Sequence, residues 1–434
     1  MSDAPPTAGA ATVESPAFLQ AVAGLGGKRS LTTSQPIYNV QGVKLLEGGA
    51  TIDQGLYERL VSHRLSLPLD ECVDAGAPFG PDVLRQAVTA AIARWPLFGR
   101  IAAEGTRRKE LVEAIAAIAV PKPVGLHLML AREMRPALFE HSILMALLSA
   151  HLVRERGATK AGVGHAAAAG LLHDLGMLHI DPDLLDSDDR LTGDRLKPVY
   201  VHPLTSSMLV DRFADFPKEI VRAIAEHHER LDGSGYPRGL AGDAMSPLGR
   251  VLSLAEVVTA MFDGERRHPE QRVSLLLRIN PRRYDAPAAA EVHRLLAGIE
   301  PAKAEDIAAE QSIARLLRLA GALGDWRSAS ARLGTDLGSG QLALVQSMNE
   351  QNATLQRMLY DAGITAEQLA LVAAEAGSSD AALRVELWAL AEELLWQLHA
   401  AANQMKRRWQ SAEPSTPYPA ALAEWFGAVE ALDS

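Results

Sequence analysis

Residues 227–240 read HHERLDGSGYPRGL, and this stretch says more about the fold and the site than any other part of the sequence. Two adjacent histidines and a glutamate end a predicted helix, and a glycine-rich loop follows them. Gly233, Gly235 and Gly239 allow backbone angles that are closed to other residues, and Pro237 fixes one more. The pattern therefore predicts a loop of defined shape rather than a slack linker.

Histidines and acids recur in the predicted helices on both sides of this loop. The chain has 13 histidines, and most of them lie in one middle stretch. Histidine is the commonest protein metal ligand, and a neighbouring carboxylate suits iron or manganese. His173 and Asp174 lie in an apolar, alanine-rich helix, where buried polar groups are costly unless something satisfies them. Glu256 lies in another apolar helix, and His202, which precedes Pro203, is predicted to open a helix.

These observations select six candidate metal ligands. They are His141, His173, Asp174, His202, His227 and His228. A single helical histidine is more often a core or surface residue than a ligand, and we keep that interpretation for His151, His165 and His179. For the set of six, the same interpretation would need a separate explanation at each position. The sequence therefore predicts a metal site in the middle of the chain.

The composition predicts a soluble, mainly α protein. The 434 residues correspond to two or three domains at about 150 residues per domain. Hydrophobic residues make up 48% of the chain, charged residues 22% and aromatic residues only 5%, so helices should outnumber strands. The net charge of −10 disfavours binding of duplex nucleic acid, because it would repel phosphates.

The sequence also indicates a compartment. Its one cysteine, Cys72, excludes an internal disulfide and a cysteine-rich zinc site, and suits a reducing environment. We find no apolar run that approaches the roughly 18 residues of a membrane span. The first residues lack the basic start and apolar core of a signal peptide. We therefore expect a cytoplasmic protein without a membrane span.

We predict five segments along the chain. They are a disordered leader (1–30), a small α+β module (31–75), a helical connector (76–129), the histidine-rich helical domain (130–297) and a helical C-terminal region (298–434). One apolar stripe in the last segment consists of Leu383, Leu387, Leu390, Leu394, Leu398, Ala401 and Met405. We favour packing of this stripe inside a helical bundle, with a homodimer or a protein partner as the alternative.

The middle segment resembles a known family. The motifs that carry the resemblance are His173-Asp174-Leu-Gly, His202-Pro203, His227-His228-Glu229 and Asp232-Gly-Ser-Gly-Tyr-Pro. In type, order and spacing they resemble the HD-GYP domain, a branch of the HD phosphohydrolase superfamily. The resemblance implies an HD-type helical bundle core. It also implies a bacterial phosphodiesterase that hydrolyses cyclic di-GMP through a metal-bridging hydroxide, with two divalent metal ions, iron or manganese, as cofactors.

The resemblance also implies a role for each motif residue. His141 and His173 would bind the first metal, Asp174 would bridge, and the second metal would lie on His202, His227 and His228. Glu256, where the family has Asp, would complete the first site. His173 and Asp174 would be the catalytic pair, and the substrate-binding residues would be Gly235, Tyr236, Pro237 and Arg266.

Besides Glu256, four further positions depart from the family pattern. Met177 replaces a usual Lys, Thr259 replaces a second Asp, and Glu265 stands where Arg is usual. Ala137 stands where members with three metals carry Glu, so two metals are expected rather than three. Met177, Glu256, Thr259 and Glu265 support a second hypothesis, a catalytically degenerate HD-GYP protein that binds a nucleotide or a partner as a signalling scaffold.

Overall fold

The computed structural model of the chain describes residues 15–76, 79–182, 184, 197–262, 267–299, 309–333, 337–361, 381–412 and 418–433. The described residues are mainly helical, as the sequence predicts. They divide into two compact units. The first takes its residues from 1–191, 195–265 and 282–295, and the second from 266–281 and 296–434.

The first unit begins with a helix that the sequence did not predict. Helix α1 (Pro16–Lys28) starts at Ser15, whose hydroxyl accepts a hydrogen bond from the Phe18 N–H. Phe18, Leu19 and Val22 are buried, and their spacing is that of one helical face. The prediction of a disordered leader over 1–30 is therefore wrong for this helix, because its apolar face packs into the core. Residues 1–14 lie outside the described residues.

Short strands and helices follow in the stretch predicted as a small α+β module, and they are part of the first unit. The elements are β1 (Thr32–Thr33), β2 (Ile37–Tyr38), β3 (Lys44–Leu46), α2 (Gln54–Leu60), α3 (Leu69–Cys72) and β4 (Val73–Asp74). Strand β1 pairs antiparallel with β4, and β2 pairs antiparallel with β3. The Asn39 side chain accepts hydrogen bonds from the N–H groups of Gln41 and Val43, which closes the turn between β2 and β3.

Ten further α-helices belong to the described part of the first unit. They are α4 (Pro81–Arg94), α5 (Pro96–Ile101), α6 (Gly105–Ala116), α7 (Lys122–Met134), α8 (Pro136–Glu155), α9 (Lys160–Leu172), α10 (Lys197–Asp211), α11 (Lys218–Glu226) and α12 (Pro247–Thr259), with α14 (Ala286–Leu296) after α13 of the second unit. Helices α8 and α9 pack closely because Gly170 has no side chain, and the space beside it is filled by the backbone of α8. A Cβ at Gly170 would lie 2.6 Å from the Met145 carbonyl oxygen.

Helix α8 is long and apolar enough to cross a membrane by length and composition. Most of its side chains are buried, including Leu144, Leu147 and Leu148. This burial is typical of the core helix of a globular domain. No other helix among the described ranges meets the same test.

Helix α10 places His202 differently from the prediction. His202 and Pro203 lie within the helix rather than at its start, so that prediction is wrong. Pro203 has no N–H, and in an α-helix that N–H would bond to the carbonyl of Val199. The free carbonyl instead accepts a hydrogen bond from Nδ1 of His202 at 2.5 Å. The proline thus supplies the partner that orients the histidine ring.

The second unit is a helical bundle. Its helices are α13 (Pro269–Ile279), α15 (Ala309–Ala331), α16 (Ser339–Asp361), α17 (Ala381–Ala412) and α18 (Ala420–Glu430). Leu390, Leu394 and Leu398 of the predicted stripe are buried in its core with Trp326 and Trp409. The bundle interpretation is therefore confirmed for this stripe, and the homodimer or partner surface stays a prediction.

Helix α13 lies outside the domain boundary that the sequence suggests. The prediction includes it in the segment 130–297, but it belongs to the second unit. The reason is its apolar face, since Leu275 and Ile279 are part of the core of the C-terminal helices. Sequence order alone does not reveal this packing.

Candidate metal centre

Five helices bring the seven predicted metal ligands together in the first unit. His141 lies on α8, His173 and Asp174 follow α9, His202 lies on α10, His227 and His228 follow α11, and Glu256 lies on α12. Their ligand atoms form overlapping groups of three within which all atoms lie less than 4.8 Å apart. Residues separated by more than a hundred positions in the sequence thus share one cluster.

The first half of the cluster contains His141, His173 and Glu256. Oε2 of Glu256 lies 3.0 Å from Nε2 of His141 and 3.3 Å from Nε2 of His173. The two Nε2 atoms are 3.2 Å apart. The three ligand atoms therefore lie within 3.3 Å of one another. Glu256 is the residue at which the family pattern has Asp.

The second half contains His202, His227 and His228. Nε2 of His202 lies 3.1 Å from Nε2 of His227, and the His227 and His228 ring centres are 4.3 Å apart. Asp174 contacts both halves, since Oδ1 lies 3.0 Å from Nε2 of His202 and Oδ2 lies 3.4 Å from Nε2 of His173. Its carboxylate is therefore placed as a bridge requires.

The hydrogen bonds of the rings test whether the cluster fits metal ions. Nδ1 of His173, His202 and His227 contacts the backbone carbonyls of Gly170, Val199 and Ile224 at 2.8, 2.5 and 2.6 Å. A carbonyl only accepts, so each Nδ1 carries the hydrogen, and a ring without a proton on Nε2 turns the lone pair of that atom inward. Two lone pairs at about 3 Å repel unless a proton or a metal cation lies between them. The donor set and its orientation therefore fit divalent metals.

Burial and the mutual contacts set the charges of the cluster. Burial lowers the pKa of His173, but Asp174 and Glu256 outweigh burial and raise it to about 9. Burial raises the pKa values of Asp174 and Glu256, yet the neighbouring histidines hold both well below the usual range. Burial lowers the pKa of His227 to about 4 and that of His228 well below its usual value. At neutral pH the carboxylates are ionised and His227 and His228 are neutral, which are the forms that bind a cation.

The glycine-rich loop is held by a buried carboxylate. Both oxygens of Glu229 accept hydrogen bonds at 2.8 Å, one from the N–H of Arg238 and the other from the N–H of Leu240. The loop folds so tightly that a Cβ at Gly235 would lie 2.4 Å from the Glu229 Cα. The sequence marks Glu229 as part of a motif, and the structure shows that it anchors the loop.

We expect Glu229→Ala to free this loop. The variant removes two charge-assisted hydrogen bonds, each worth roughly 1.5–3 kcal/mol, so the amides of Arg238 and Leu240 should exchange at least about tenfold faster. Hydrogen exchange followed by mass spectrometry measures this rate. Glu219→Ala, an exposed change on α11, is the matched control. Equal exchange in Glu229→Ala and the control would contradict the anchoring role.

Three of the four predicted substrate-binding residues lie beside the cluster. The Tyr236 ring stacks on the His228 ring at 4.5 Å with 18° between the planes, and Gly235 and Pro237 flank it in the loop. Arg266 lies outside the described residues. Which of these residues contact a substrate stays a prediction.

The remaining middle histidines have other partners. His151 is buried and lies 2.7 Å from Glu291, and His165 pairs with Glu219. His179 stacks on Phe18, and burial lowers its pKa to about 3. Among the described residues none of the three belongs to a group of potential metal ligands, in line with the interpretation kept for them.

Part of the chain is similar to known proteins. Residues 126–287 match the family model of the HD domain. The 3'3'-cGAMP-specific phosphodiesterase 1 of Vibrio cholerae is 35% identical over 124 residues, 28% of this chain and 28% of the relative. A cyclic di-GMP phosphodiesterase of Pseudomonas aeruginosa is 31% identical over 123 residues, 28% of this chain and 30% of the relative.

The similarity spans less than a third of the length of these relatives. A solved HDGYP protein from Bdellovibrio bacteriovorus aligns with 63% of this chain and 98% of its own length, at 16% identity and a TM-score of 0.34. The family match covers the α8 to α12 cluster and the glycine-rich loop in full. The chain therefore contains an HD domain over residues 126–287.

Proposed function

We propose that this protein is a metal-dependent phosphodiesterase that hydrolyses cyclic di-GMP in bacterial second-messenger signalling. The observation that carries the proposal is the inward orientation of the ligand cluster. Three histidines donate Nδ1–H to backbone carbonyls, and their Nε2 atoms converge with two ionised carboxylates. Such an arrangement is costly to bury without cations.

The substrate class comes from the relatives. One is named for 3'3'-cGAMP and another for cyclic di-GMP, which are both cyclic dinucleotides. We place cyclic di-GMP first and 3'3'-cGAMP second, and an assay should include both.

The proposed mechanism is hydrolysis at a site for two divalent metals. The mixture of imidazole and carboxylate ligands favours iron or manganese. Such metals, when bound, lower the pKa of water and neutralise the charge that develops on the phosphate. His141, His173 and Glu256 would hold one of them, and His202, His227 and His228 the other. Asp174 reaches both groups and would keep them at a fixed separation.

Other residues orient the ligands and limit water. The carbonyls of Gly170, Val199 and Ile224 fix the ring orientations. The Tyr236 ring covers one face of His228 and so shields that ligand from solvent. Glu229 keeps the loop that carries Tyr236 in place.

Two observations favour the scaffold as a second candidate function. Thr259 has no carboxylate, and its hydroxyl donates to the Ala255 carbonyl of its own helix at 2.8 Å. Met177 has no charge to contact a phosphate. A protein with these features could hold metal and nucleotide without turnover.

Metal content and turnover together separate the two functions. Protein purified without oxygen and chelators should contain about two equivalents of iron or manganese and should hydrolyse cyclic di-GMP. Elemental analysis and chromatography of the products measure both quantities. A protein that takes up no metal contradicts both candidates, and a metal-loaded protein that hydrolyses neither cyclic dinucleotide supports the scaffold. A cytoplasmic location stays a prediction.

A further inference from the structure

An exposed tyrosine lies at the outer edge of the candidate metal centre. Tyr200 is on the first turns of α10, and 44% of it is exposed. Its ring meets the Tyr236 ring edge to face, with 4.6 Å between centroids and 75° between planes. Tyr236 stacks on His228 in turn. A row of three rings therefore leads from solvent to a candidate metal ligand.

We infer that Tyr200 is the base-binding residue of this site, on which a purine base of the substrate stacks; the inference rests on the proposed function. A base is joined to its phosphate through a sugar. When the phosphate lies on the metal ligands, the base must therefore lie beyond them, toward solvent. Tyr200 occupies that position.

The chemistry of the side chain suits this role. Every base has an aromatic face, and stacking on an aromatic side chain contributes to binding without reading the sequence of donors and acceptors. The contact with Tyr236 holds one part of the Tyr200 ring, so little motion is lost when a base covers the rest. Among the described residues of the first unit, Tyr200 is the aromatic side chain that is strongly exposed.

The apolar residues near Tyr200 suggest a second role for this face of α10, and the experiment must distinguish that role from base binding. Val201 is 44% exposed and Met208 is 71% exposed on the same helix. A protein partner could cover such a face. The ring contact between Tyr200 and Tyr236 favours a small ligand, because it ties the exposed ring to the metal centre rather than to the outer face of α10.

Binding of two phosphate monoesters isolates the contribution of the base. Ribose 5-phosphate carries a hydroxyl at the carbon where guanosine monophosphate carries the base, so the ratio of their Kd values reports the contacts of the base. Equilibrium dialysis with the metal-loaded full chain would measure this ratio for the unaltered protein, Tyr200→Ala, Tyr200→Phe and Met208→Ala. Met208→Ala is the matched control, since it removes an exposed apolar side chain from the same helix.

We expect the base to tighten binding to the unaltered protein about tenfold, which corresponds to about 1.4 kcal/mol. Tyr200→Ala should abolish this difference by weakening guanosine monophosphate alone, while Tyr200→Phe and Met208→Ala keep it. An unchanged ratio in Tyr200→Ala, an equal loss for both ligands, or a loss in Met208→Ala would overturn the inference.

Hydrolysis of cyclic di-GMP, measured separately, distinguishes this failure from that of the proposed function. Turnover with an unchanged Kd ratio in Tyr200→Ala refutes the stacking role and leaves the phosphodiesterase intact. A ratio that depends on Tyr200 without any turnover refutes the phosphodiesterase and leaves the base-binding role intact. A protein that takes up no metal overturns both.

Discussion

Asp174→Ala is expected to remove both metals and to lower hydrolysis by at least about a hundredfold. Asp174 approaches ligands of both halves, at 3.0 Å from His202 and 3.4 Å from His173. Its loss would leave two cations without the negative charge between them.

Elemental analysis, the hydrolysis assay and circular dichroism together measure this effect. The fold should persist, because Asp174 follows α9 and alanine is compatible with that position. Asp174→Asn keeps the shape and removes the charge, so it should also lose metal. Asp243→Ala, a change of an exposed carboxylate in the same unit, should behave as the unaltered protein. Full metal content with normal turnover in Asp174→Ala would show that the carboxylate is structural.

Glu256→Ala is expected to halve the metal content and to abolish most turnover. The Glu256 side chain is 11% exposed, and its Oε2 lies 3.0 Å from His141 and 3.3 Å from His173. Its helix is otherwise apolar at Leu252 and Val258, so the carboxylate is costly to bury unless a cation compensates it. The second metal should remain, since His202 and His227 lie 3.0 and 3.6 Å from Oδ1 of Asp174, which this variant keeps.

Glu256→Asp is the matched variant, because it restores the residue of the family pattern. It should keep about two equivalents of metal and turn over cyclic di-GMP at least as fast as the unaltered protein. Glu256→Gln, which keeps the length and removes the charge, should resemble Glu256→Ala. Metal stoichiometry in the three variants measures the effect. Full occupancy in Glu256→Ala would refute the ligand assignment.

The ligand set was accessible from the sequence because the cost of burying polar groups is a local property. His173, Asp174 and Glu256 stand out as polar side chains in helices that are otherwise apolar, whatever those helices pack against. The shape of the glycine-rich loop can also be predicted from the sequence, since the positive φ angles at Gly233 and Gly239 favour glycine. The mainly α fold follows from composition and from helical spacing.

The structure decided what depends on contacts between distant segments. In isolation, the sequence of helix α1 looks like a disordered leader. The helix is ordered because Phe18 stacks on His179, which lies 161 residues later in the sequence. Helix α13 belongs to the second unit because Leu275 packs with the C-terminal helices. Both contacts join residues that are far apart in the sequence, and hydrophobic periodicity indicates only structure within a short segment.

The sequence by itself therefore determined the helical fold, the shaped loop and six candidate metal ligands, since each follows from residue chemistry or local spacing, and the family resemblance added Glu256. Only the tertiary structure decided how these parts are oriented. Pro203 directs the Val199 carbonyl to His202, Glu229 anchors the loop, and Tyr200 extends the row of rings to solvent. These roles arise from side-chain directions and long-range packing, which depend on the whole fold rather than on any one segment.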